Sequence, residues 1–313
     1  MPPAPKRPGL AGRFASFSPM TQGAIYMTLA ALFFAVMNSC VRVVADAGFD
    51  ATQIAFFRNF FALVFMLPWV VSTRFAGIRT KRLPAHLLRG LISLGSMNFW
   101  FLAVAMLPLA QAVALNFTFP LFGTILAALI LKEKVRARRW IATGVGFLGV
   151  LVVLQPWSVA ITWPALIPIA AAVFMALTSI MVKSLSNTEG PSTIVFYMNL
   201  VMTPLSLIPA AFFWVWPDLE TWGIVALLGF FAAISHVMMT RAYVLADASA
   251  VQPFDYLRLP FIALLGFLLF DEIPDPWLWP GAAIIAGSTF YIARREAQLA
   301  RAHRAARAPQ DTP

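Results

Sequence analysis

The stretch RAYVLADASAV, residues 241 to 251, repeats the pattern of AVAMLPLAQAV, residues 103 to 113, at an offset of 138 residues. The correspondence continues along the chain, because LLFDEIP at 268–274 matches LILKEKV at 129–135 at an offset of 139. Self-similarity over such a distance indicates that one structural unit occurs twice. We therefore expect two copies of one unit, at residues 21–156 and 157–295.

The composition places both copies in a membrane. Hydrophobic residues make up 60% of the chain and charged residues 12%, whereas soluble domains carry about 25% charged residues. Charged and turn-rich breaks separate ten apolar segments near the roughly 20 residues that a membrane-crossing helix needs. They lie at about 22–44, 51–73, 84–106, 110–131, 137–155, 161–183, 191–215, 221–245, 249–270 and 277–293.

Five segments per copy mean that the second copy enters the membrane in the opposite orientation. Such inverted-topology repeats enclose a site near the middle of the bilayer. The sequence therefore predicts an all-α integral membrane protein of ten transmembrane helices, arranged as two inverted five-helix repeats. A disordered basic tail, 1–20, precedes them, and a basic tail, 296–313, follows.

The basic residues predict the orientation, since short cytoplasmic loops are enriched in Lys and Arg. If both termini are cytoplasmic, 19 of the 23 Lys and Arg residues lie on that side. They are Lys6, Arg7 and Arg13 in the N-terminal tail; Arg74, Arg79, Lys81, Arg82 and Arg89 around the second connection; Lys132, Lys134, Arg136, Arg138 and Arg139 around the fourth; Lys183 at the sixth; and Arg294, Arg295, Arg301, Arg304 and Arg307 at the C-terminal end. This distribution indicates basic residues spread along an inner membrane face that attracts them through anionic lipids, and no nucleic-acid partner.

Reactive constellations are missing from the sequence. Cys40 is the single cysteine, no Cys/His cluster has metal-ligand spacing, and there is no G-x-S-x-G, H-E-x-x-H or Gly-rich phosphate loop. We therefore expect no cofactor, no metal and no enzymatic activity. The alternatives left open are a passive channel, a polytopic membrane enzyme and a receptor.

Three segments carry a family resemblance. RNFFALVFMLP at 58–68, AVALNFTFPLFGTILAALILKEKV at 112–135 and GVGFLGVLVVLQP at 144–156 resemble the EamA family of the drug/metabolite transporter superfamily. The resemblance implies a secondary transporter that moves a small metabolite, such as an amino acid, a carboxylate-bearing compound or a drug-like compound, across the inner membrane by alternating access, with export as the expected direction.

Prolines interrupt the fourth and ninth segments. Pro120 lies in the fourth, and Pro253 and Pro260 lie in the ninth. A proline inside a helix removes one backbone donor and disrupts the bond to the carbonyl four residues earlier, and discontinuous helices in both halves mark the binding sites of transporters. The alternative is that each proline only kinks its helix to improve packing.

Two charges lie in the middle of the ninth segment. Asp255 and Arg258 are three residues apart, so they share a helix face and can pair. Ionisable residues inside membranes usually face the bundle interior and mark a pathway. On this hypothesis Arg258 contacts an anionic group of the substrate and Asp255 is a proton-coupling candidate, as is His236. The alternative is an ion pair that only fixes helix packing.

Other polar or aromatic side chains are candidates for contact with the substrate. Arg58 lies well inside its segment and would favour an anionic group. The remaining candidates are Asn38, Asn98, Trp100, Asn116, Asn199, Gln252 and Tyr256; the alternative for each asparagine is a helix-to-helix hydrogen bond. Small residues in the fifth segment (Ala142, Gly146, Gly149) and the tenth (Ala282, Ala283, Ala286, Gly287) predict close helix contacts, within a monomer or at a homodimer interface.

Overall fold

The computed structural model describes residues 14, 16–107, 112, 115–155, 163–271, 273 and 276–307. These residues form helices, turns and irregular segments, and no strand occurs among them. The all-α prediction is therefore confirmed. The predicted tail 1–20 falls largely outside these ranges, so its expected disorder stays a prediction, whereas residues 296–307 of the predicted tail 296–313 belong to the last helix.

Ten helical segments follow one another along the described chain, and we label them α1 to α10. They are α1 Pro19–Asp46, α2 Ala51–Ser72, α3 Leu83–Met106, α4 Phe119–Leu129, α5 Ala137–Leu154, α6 Leu166–Leu185, α7 Pro191–Ala210, α8 Leu219–Leu245, α9 Ala248–Phe270 and α10 Leu278–Arg307. Each overlaps one of the apolar segments expected from the sequence.

Polar side chains begin three of these helices. The Ser18 hydroxyl accepts the Thr21 N–H at 3.1 Å before α1, Asp50 Oδ1 accepts the Thr52 N–H at 2.8 Å before α2, and Asp218 Oδ1 accepts the Thr221 N–H at 2.8 Å before α8. Each bond satisfies one of the backbone donors that a helix start leaves without a partner. Hydrogen bonds from Thr221 also lower the pKa of the Asp218 carboxyl.

Helix length and surface chemistry fit a lipid environment. Within the described ranges, seven helices are long and apolar enough to cross a membrane, and the apolar parts of α4 and α10, Phe119–Leu129 and Leu278–Ile292, are shorter. Large apolar side chains cover the outside of the bundle, with Phe212 80%, Leu219 89% and Trp163 70% exposed. Water would not tolerate so much exposed apolar surface, whereas lipid does. The crossing of the bilayer by all ten helices stays a prediction.

The helix pairings have an ordered pattern. In the first half α1 packs against α8 and α9, and in the second half α6 packs against α3 and α4. Likewise α2 packs against α8 while α7 packs against α3, and the remaining large contacts join α2 to α7 and α5 to α10. Adding or subtracting five from each helix number exchanges these pairings with one another and leaves α2–α7 and α5–α10 unchanged.

Glycines allow the closest helix approaches. A Cβ on Gly229 of α8 would lie 2.2 Å from Phe61 Cβ and 2.7 Å from the Phe61 carbonyl carbon of α2. Between α5 and α10, a Cβ on Gly149 would lie 2.9 Å from the Gly281 carbonyl oxygen, and one on Gly281 would lie 2.7 Å from the Gly149 carbonyl oxygen. The predicted contact of small residues therefore occurs within one chain, although its partner in α10 is Gly281, and Gly287 faces open space.

Two arginines near the basic connections lie inside the helix bundle. Arg89 is seven residues into α3 and 1% exposed, and it donates to the Ile194 carbonyl of α7 at 2.9 Å. Arg139 is the third residue of α5 and 9% exposed. Both guanidiniums therefore have protein partners in neighbouring elements, and the cytoplasmic side expected for these residues stays a prediction.

Candidate functional site

Helix α9 changes type along its length. It begins as a helical turn at Ala248–Val251, continues as a 3₁₀ segment at Gln252–Leu257, and becomes an α-helix at Arg258–Phe270. Pro253 lies in the first turn of the 3₁₀ segment and Pro260 in the first turn of the α-helix that follows. In the first half, α4 starts after a turn at 117–118, with Pro120 in its own first turn. All three prolines therefore stand where a missing amide donor is tolerated.

The 3₁₀ segment aligns three polar side chains on one face. Because a 3₁₀-helix has three residues per turn, side chains three apart lie directly above one another. Gln252, Asp255 and Arg258 meet this spacing, and we call them the polar stripe. At about 2 Å of rise per residue the stripe is about 12 Å long. Gln252 is fully buried, Asp255 is 3% exposed, and the Arg258 side chain is 14% exposed.

Arg258 is the centre of the contacts on the polar stripe. Its Nη2 donates to Asp255 Oδ1, and its Cζ lies 4.2 Å from the centre of the Phe34 ring of α1. The His236 ring of α8 meets the same Phe34 ring edge-to-face, with ring centres 4.9 Å apart. A cation over an aromatic face is attracted to the ring, most strongly where water is excluded. Residues from α1, α8 and α9 are thus in direct contact.

Polar atoms without a partner are concentrated here. Among the described residues, the buried side-chain atoms that make no hydrogen bond include both amide atoms of Gln252, Asp255 Oδ2, Tyr256 Oη, Arg258 Nε and His236 Nδ1. The Tyr243 hydroxyl lies near the Gln252 amide. The two groups are not oriented so that they form a hydrogen bond. Buried polar groups are normally satisfied, so this group of donors and acceptors is suited to a polar ligand.

Two glycines shape the walls around α9. A Cβ on Gly123 of α4 would lie 2.1 to 2.4 Å from the Gln252 amide atoms, so the amide fills the space beside that glycine. A Cβ on Gly146 of α5 would lie 2.7 Å from the Tyr256 ring, which also stacks on Phe117 with ring centres 6.4 Å apart. The 3₁₀ segment is therefore enclosed by α1, α4, α5 and α10, against all of which it packs.

Three guanidiniums lie in the interior around His236. Arg58, Arg89 and Arg258 are all close enough to the His236 imidazole to act on it electrostatically. Arg58 also donates to Asn59 Oδ1 at 3.2 Å, and Arg89 Nη2 contacts Met198 Sδ at 3.3 Å. Of these three arginines, Arg258 is the one that forms an ion pair with Asp255 among the described residues. An anionic or oxygen-rich group would be stabilised in such a field.

The other candidates from the sequence are spread over several helices. Asn38 is half-buried on α1, one turn after Phe34, and Asn116 is half-buried just before α4. Asn199 is buried on α7, where its Nδ2 donates to the Val195 carbonyl at 2.9 Å. On α3, Asn98 is exposed, and Trp100 is half-buried against an apolar cluster that includes Ala103 and Ile167. The polar stripe, Tyr256 and His236 are the candidates that the fold brings together most tightly.

Sequence reasoning missed two residues of this site. Phe34 is one of 28 phenylalanines, and nothing in its neighbourhood distinguishes it from a packing residue. Gly123 follows Pro120 by three residues. This spacing could have indicated a close contact, because a glycine one turn into an interrupted helix often permits a neighbouring group to approach the backbone. Its role as the neighbour of the Gln252 amide depends on the tertiary structure.

An apolar bundle of long helices around buried polar groups is typical of a multi-pass membrane protein. Comparison with known proteins identifies the family. The EamA-like transporter family matches residues 21–155 and again residues 162–294, so the chain belongs to that family. A solved crystal structure of the same fold has a TM-score of 0.76 at 19% identity, covering 90% of this chain and 99% of the other.

Three relatives show the range of activities among similar proteins. The riboflavin transporter of Vibrio cholerae serotype O1 is 38% identical over 287 residues, covering 90% of this chain and 96% of the relative. The S-adenosylmethionine uptake transporter of Rickettsia bellii is 32% identical, covering 77% and 82%. The pseudopaline exporter CntI of Pseudomonas aeruginosa is 31% identical, covering 88% and 97%. The chain is a small-molecule transporter and not an enzyme.

Proposed function

We propose that this protein carries riboflavin, or a close flavin analogue, into the cell across the bacterial inner membrane. The observation that carries the proposal is the polar stripe beside Phe34, with its unsatisfied donors and acceptors. The identity of 38% to a protein named as a riboflavin transporter, over nearly the full length of both chains, supports the choice of substrate.

The chemistry of a flavin matches the groups present. Its fused ring is planar and apolar on both faces, and one edge presents two carbonyl oxygens around an N–H. The Gln252 amide offers one acceptor and two donors, and Arg258 Nε–H offers a further donor. Aromatic side chains such as Phe34, Tyr256 and Phe117 supply flat apolar surfaces for the ring. A stripe about 12 Å long allows one molecule to contact both ends.

The site also fits the carboxylate-bearing substrate expected from the sequence. Three guanidiniums near His236 favour negative charge or carbonyl oxygen. A carboxylate would accept a charge-assisted hydrogen bond from Arg258 Nε–H, which has no protein partner. We rank it second, because no relative described above is named for a simple carboxylate or amino acid.

Import replaces export as the proposed direction. The relative named for S-adenosylmethionine is an uptake transporter, and the relative named for pseudopaline is an exporter, so similar proteins work in both directions. Riboflavin is a precursor of redox cofactors that cells consume, which favours uptake. The orientation that we propose keeps both termini cytoplasmic, as the basic residues indicate.

Transport would proceed by alternating access between two inverted repeats of five helices. The exchange of helix pairings between α1–α5 and α6–α10 and the two family matches support the division into repeats at 21–156 and 157–295. Rocking of the two halves would expose the polar stripe to one side and then to the other. Proton coupling through Asp255 or His236, and a monomeric or homodimeric state, stay predictions.

Counterflow in liposomes tests this function. Purified protein is reconstituted in vesicles loaded with unlabelled riboflavin, and entry of labelled riboflavin is followed with and without an excess of competitor. We expect saturable entry, stimulated by riboflavin inside, that flavin analogues inhibit more strongly than S-adenosylmethionine or amino acids. Linear entry without stimulation would indicate a channel, and competition by amino acids alone would contradict the choice of substrate.

A further inference from the structure

Glu133 holds the beginning of α9 from the opposite half of the chain. It lies in the connection between α4 and α5, and its Oε1 accepts the Ala248 N–H at 2.9 Å. Its Oε2 accepts the Ser249 N–H at 3.2 Å and the Ser249 hydroxyl at 2.7 Å. These backbone donors begin α9 and have no partner within the helix. One carboxylate therefore satisfies three donors across the boundary between the two halves.

Arg139 contacts the same corner. Its Nη1 donates to Asp247 Oδ2 at 3.0 Å and to Ser249 Oγ at 3.0 Å. The Ser249 hydroxyl thus donates to Glu133 and accepts from Arg139. Hydrogen bonds with one charged partner are shorter and stronger than neutral ones. Three residues of α9 and its preceding turn are fixed by two side chains of the first half.

A third charged side chain fixes the other side of this corner. Lys183, in the last turn of α6, donates to the Tyr243 carbonyl at 2.6 Å and to the Ala246 carbonyl at 2.8 Å, at the end of α8. Only two residues, Ala246 and Asp247, join α8 to α9. The short connection is therefore held from both the first and the second half.

The corner lies directly beside the polar stripe. Ala248, Ser249, Ala250 and Val251 are each no more than 1% exposed, and this turn packs against α1, α4 and α6. Gln252, the first residue of the stripe, follows it immediately. The buried turn therefore lies between the stripe and the residues Glu133 and Lys183 that hold the α8–α9 connection.

We infer that Glu133 and Arg139 are positioning residues that form a latch on the α8–α9 corner. The latch closes the end of the bundle that bears Glu133 and Lys183. Its contacts must break before substrate leaves the polar stripe at that end. This inference rests on the proposed function for the nature of the substrate. The latch itself depends only on alternating access, so the two can fail separately.

Cysteine accessibility tests the latch. In a Cys40→Ser background, Ala250→Cys places a thiol in the buried turn without altering any latch residue. Labelling by a membrane-impermeant maleimide is measured in inside-out and right-side-out vesicles. We expect slow labelling in this parent, and Glu133→Gln should accelerate it from the cytoplasmic side by about tenfold, the factor for one charge-assisted hydrogen bond. Arg139→Lys should have a smaller effect in the same direction.

Matched controls separate a latch from general loosening. Glu220→Gln makes the same chemical change on an exposed residue in the first turn of α8, and Lys134→Gln changes an exposed neighbour of Glu133. Both should label like the parent. If Glu133→Gln does not fold, Asp247→Ala removes the carboxylate that accepts from Arg139 and should give a smaller one-sided increase.

Transport kinetics complete the test. Glu133→Gln should change the maximal rate of riboflavin counterflow more than its KM, because the stripe itself is intact. Equal labelling of Glu133→Gln and Glu220→Gln, equal acceleration from both sides, or a thiol that is unreactive in every variant would overturn the latch. One-sided acceleration in a protein that does not carry riboflavin would retain the latch and reject the substrate.

Discussion

Arg258 combines two roles that are difficult to satisfy together inside a membrane. One edge of its guanidinium pairs with Asp255 and its face covers the Phe34 ring, while Nε has no partner. A lone arginine at mid-bilayer costs at least about 2.5 kcal/mol, and the carboxylate offsets that cost. The pair thus keeps a donor inside the bundle that remains available to a ligand.

Arg258→Ala tests whether that donor is needed. We expect transport to fall by at least about tenfold, since a hydrogen bond from a charged donor to the substrate contributes roughly 1.5 to 3 kcal/mol. Counterflow and the amount of folded protein in the membrane are measured together. Arg241→Ala is the control, because Arg241 is exposed and contacts only the Tyr26 side chain among its described partners.

Truncation of Arg258 also leaves Asp255 buried without its partner, which alone can destabilise the protein. The double variant Asp255→Asn, Arg258→Gln removes both charges and keeps similar shapes. We expect it to be folded and still inactive. Near-normal transport in the double variant would show that the pair serves only helix packing.

Gly123 controls the position of the Gln252 amide. In Gly123→Ala the new methyl group would overlap the amide, whose atoms lie 2.1 to 2.4 Å from the ideal Cβ position. The amide is the end of a flexible side chain, so it should move without unfolding the protein. We expect the KM for substrate to rise about tenfold, corresponding to one lost hydrogen bond, with an unchanged melting temperature.

Gly144→Ala is the matched control for this change, because a Cβ there would meet nothing within 4 Å. Combining Gly123→Ala with Gln252→Ala should give no further loss beyond Gln252→Ala alone. Additive losses would mean that the methyl group acts through another neighbour.

The sequence was sufficient to predict some of these residues and not others. Two opposite charges three residues apart in an apolar segment share one helix face, so the spacing predicts the Asp255–Arg258 pair. Gln252 was a candidate, but its alignment with the pair depends on a 3₁₀ segment that the spacing of the prolines does not specify. The places of Phe34 and Gly123 depend on which helices meet, and that information is not local.

At the scale of elements, the helices are arranged by close backbone contacts as well as by apolar pattern. Arg89 and Arg139 illustrate the limit of the pattern, because both lie at the basic ends of apolar segments, where the pattern alone predicts exposure at the membrane surface. Inside the bundle, Arg89 donates to a backbone carbonyl of α7, and Arg139 donates to Asp247 before α9 and to Ser249 of α9. Charge density along the sequence predicts which end of a helix is basic, and it does not predict which cation turns inward.

Gly229→Ala tests the approach of α8 to α2. The added methyl group would lie 2.2 Å from Phe61 Cβ and 2.8 Å from the Ala62 nitrogen, and backbone atoms cannot move aside as a side chain does. We expect a loss of stability of roughly 1 to 3 kcal/mol, the usual range for overpacking, and a lower melting temperature in detergent.

Gly223→Ala in the same helix has nothing within 4 Å of its Cβ. It should be neutral or stabilising by up to about 1 kcal/mol, because alanine is the better helix former. Equal melting temperatures for the two variants would mean that the space between α2 and α8 at Gly229 can accommodate a methyl group.

At the scale of the whole molecule, the number of crossings decides the relation between the two termini. Seven helices meet the length and hydropathy required of a crossing within the described ranges, and an odd total would place the termini on opposite sides. Helix α4 is the critical case: its 11 residues span about 16 Å at 1.5 Å per residue, roughly half of the 30 Å hydrocarbon core. It crosses only together with the residues that precede it.

Reporter fusions therefore test the architecture directly. A reporter that is active only in the cytoplasm, fused in turn to each terminus, should be active at both, and one fused after residue 217 should be inactive, because that connection lies at the opposite end from Glu133 and Lys183. Activity at one terminus only would mean that α3, α4 or α10 fails to cross. The two halves would then be unequal in topology, and the polar stripe could not be exposed to each side in turn by rocking one half against the other.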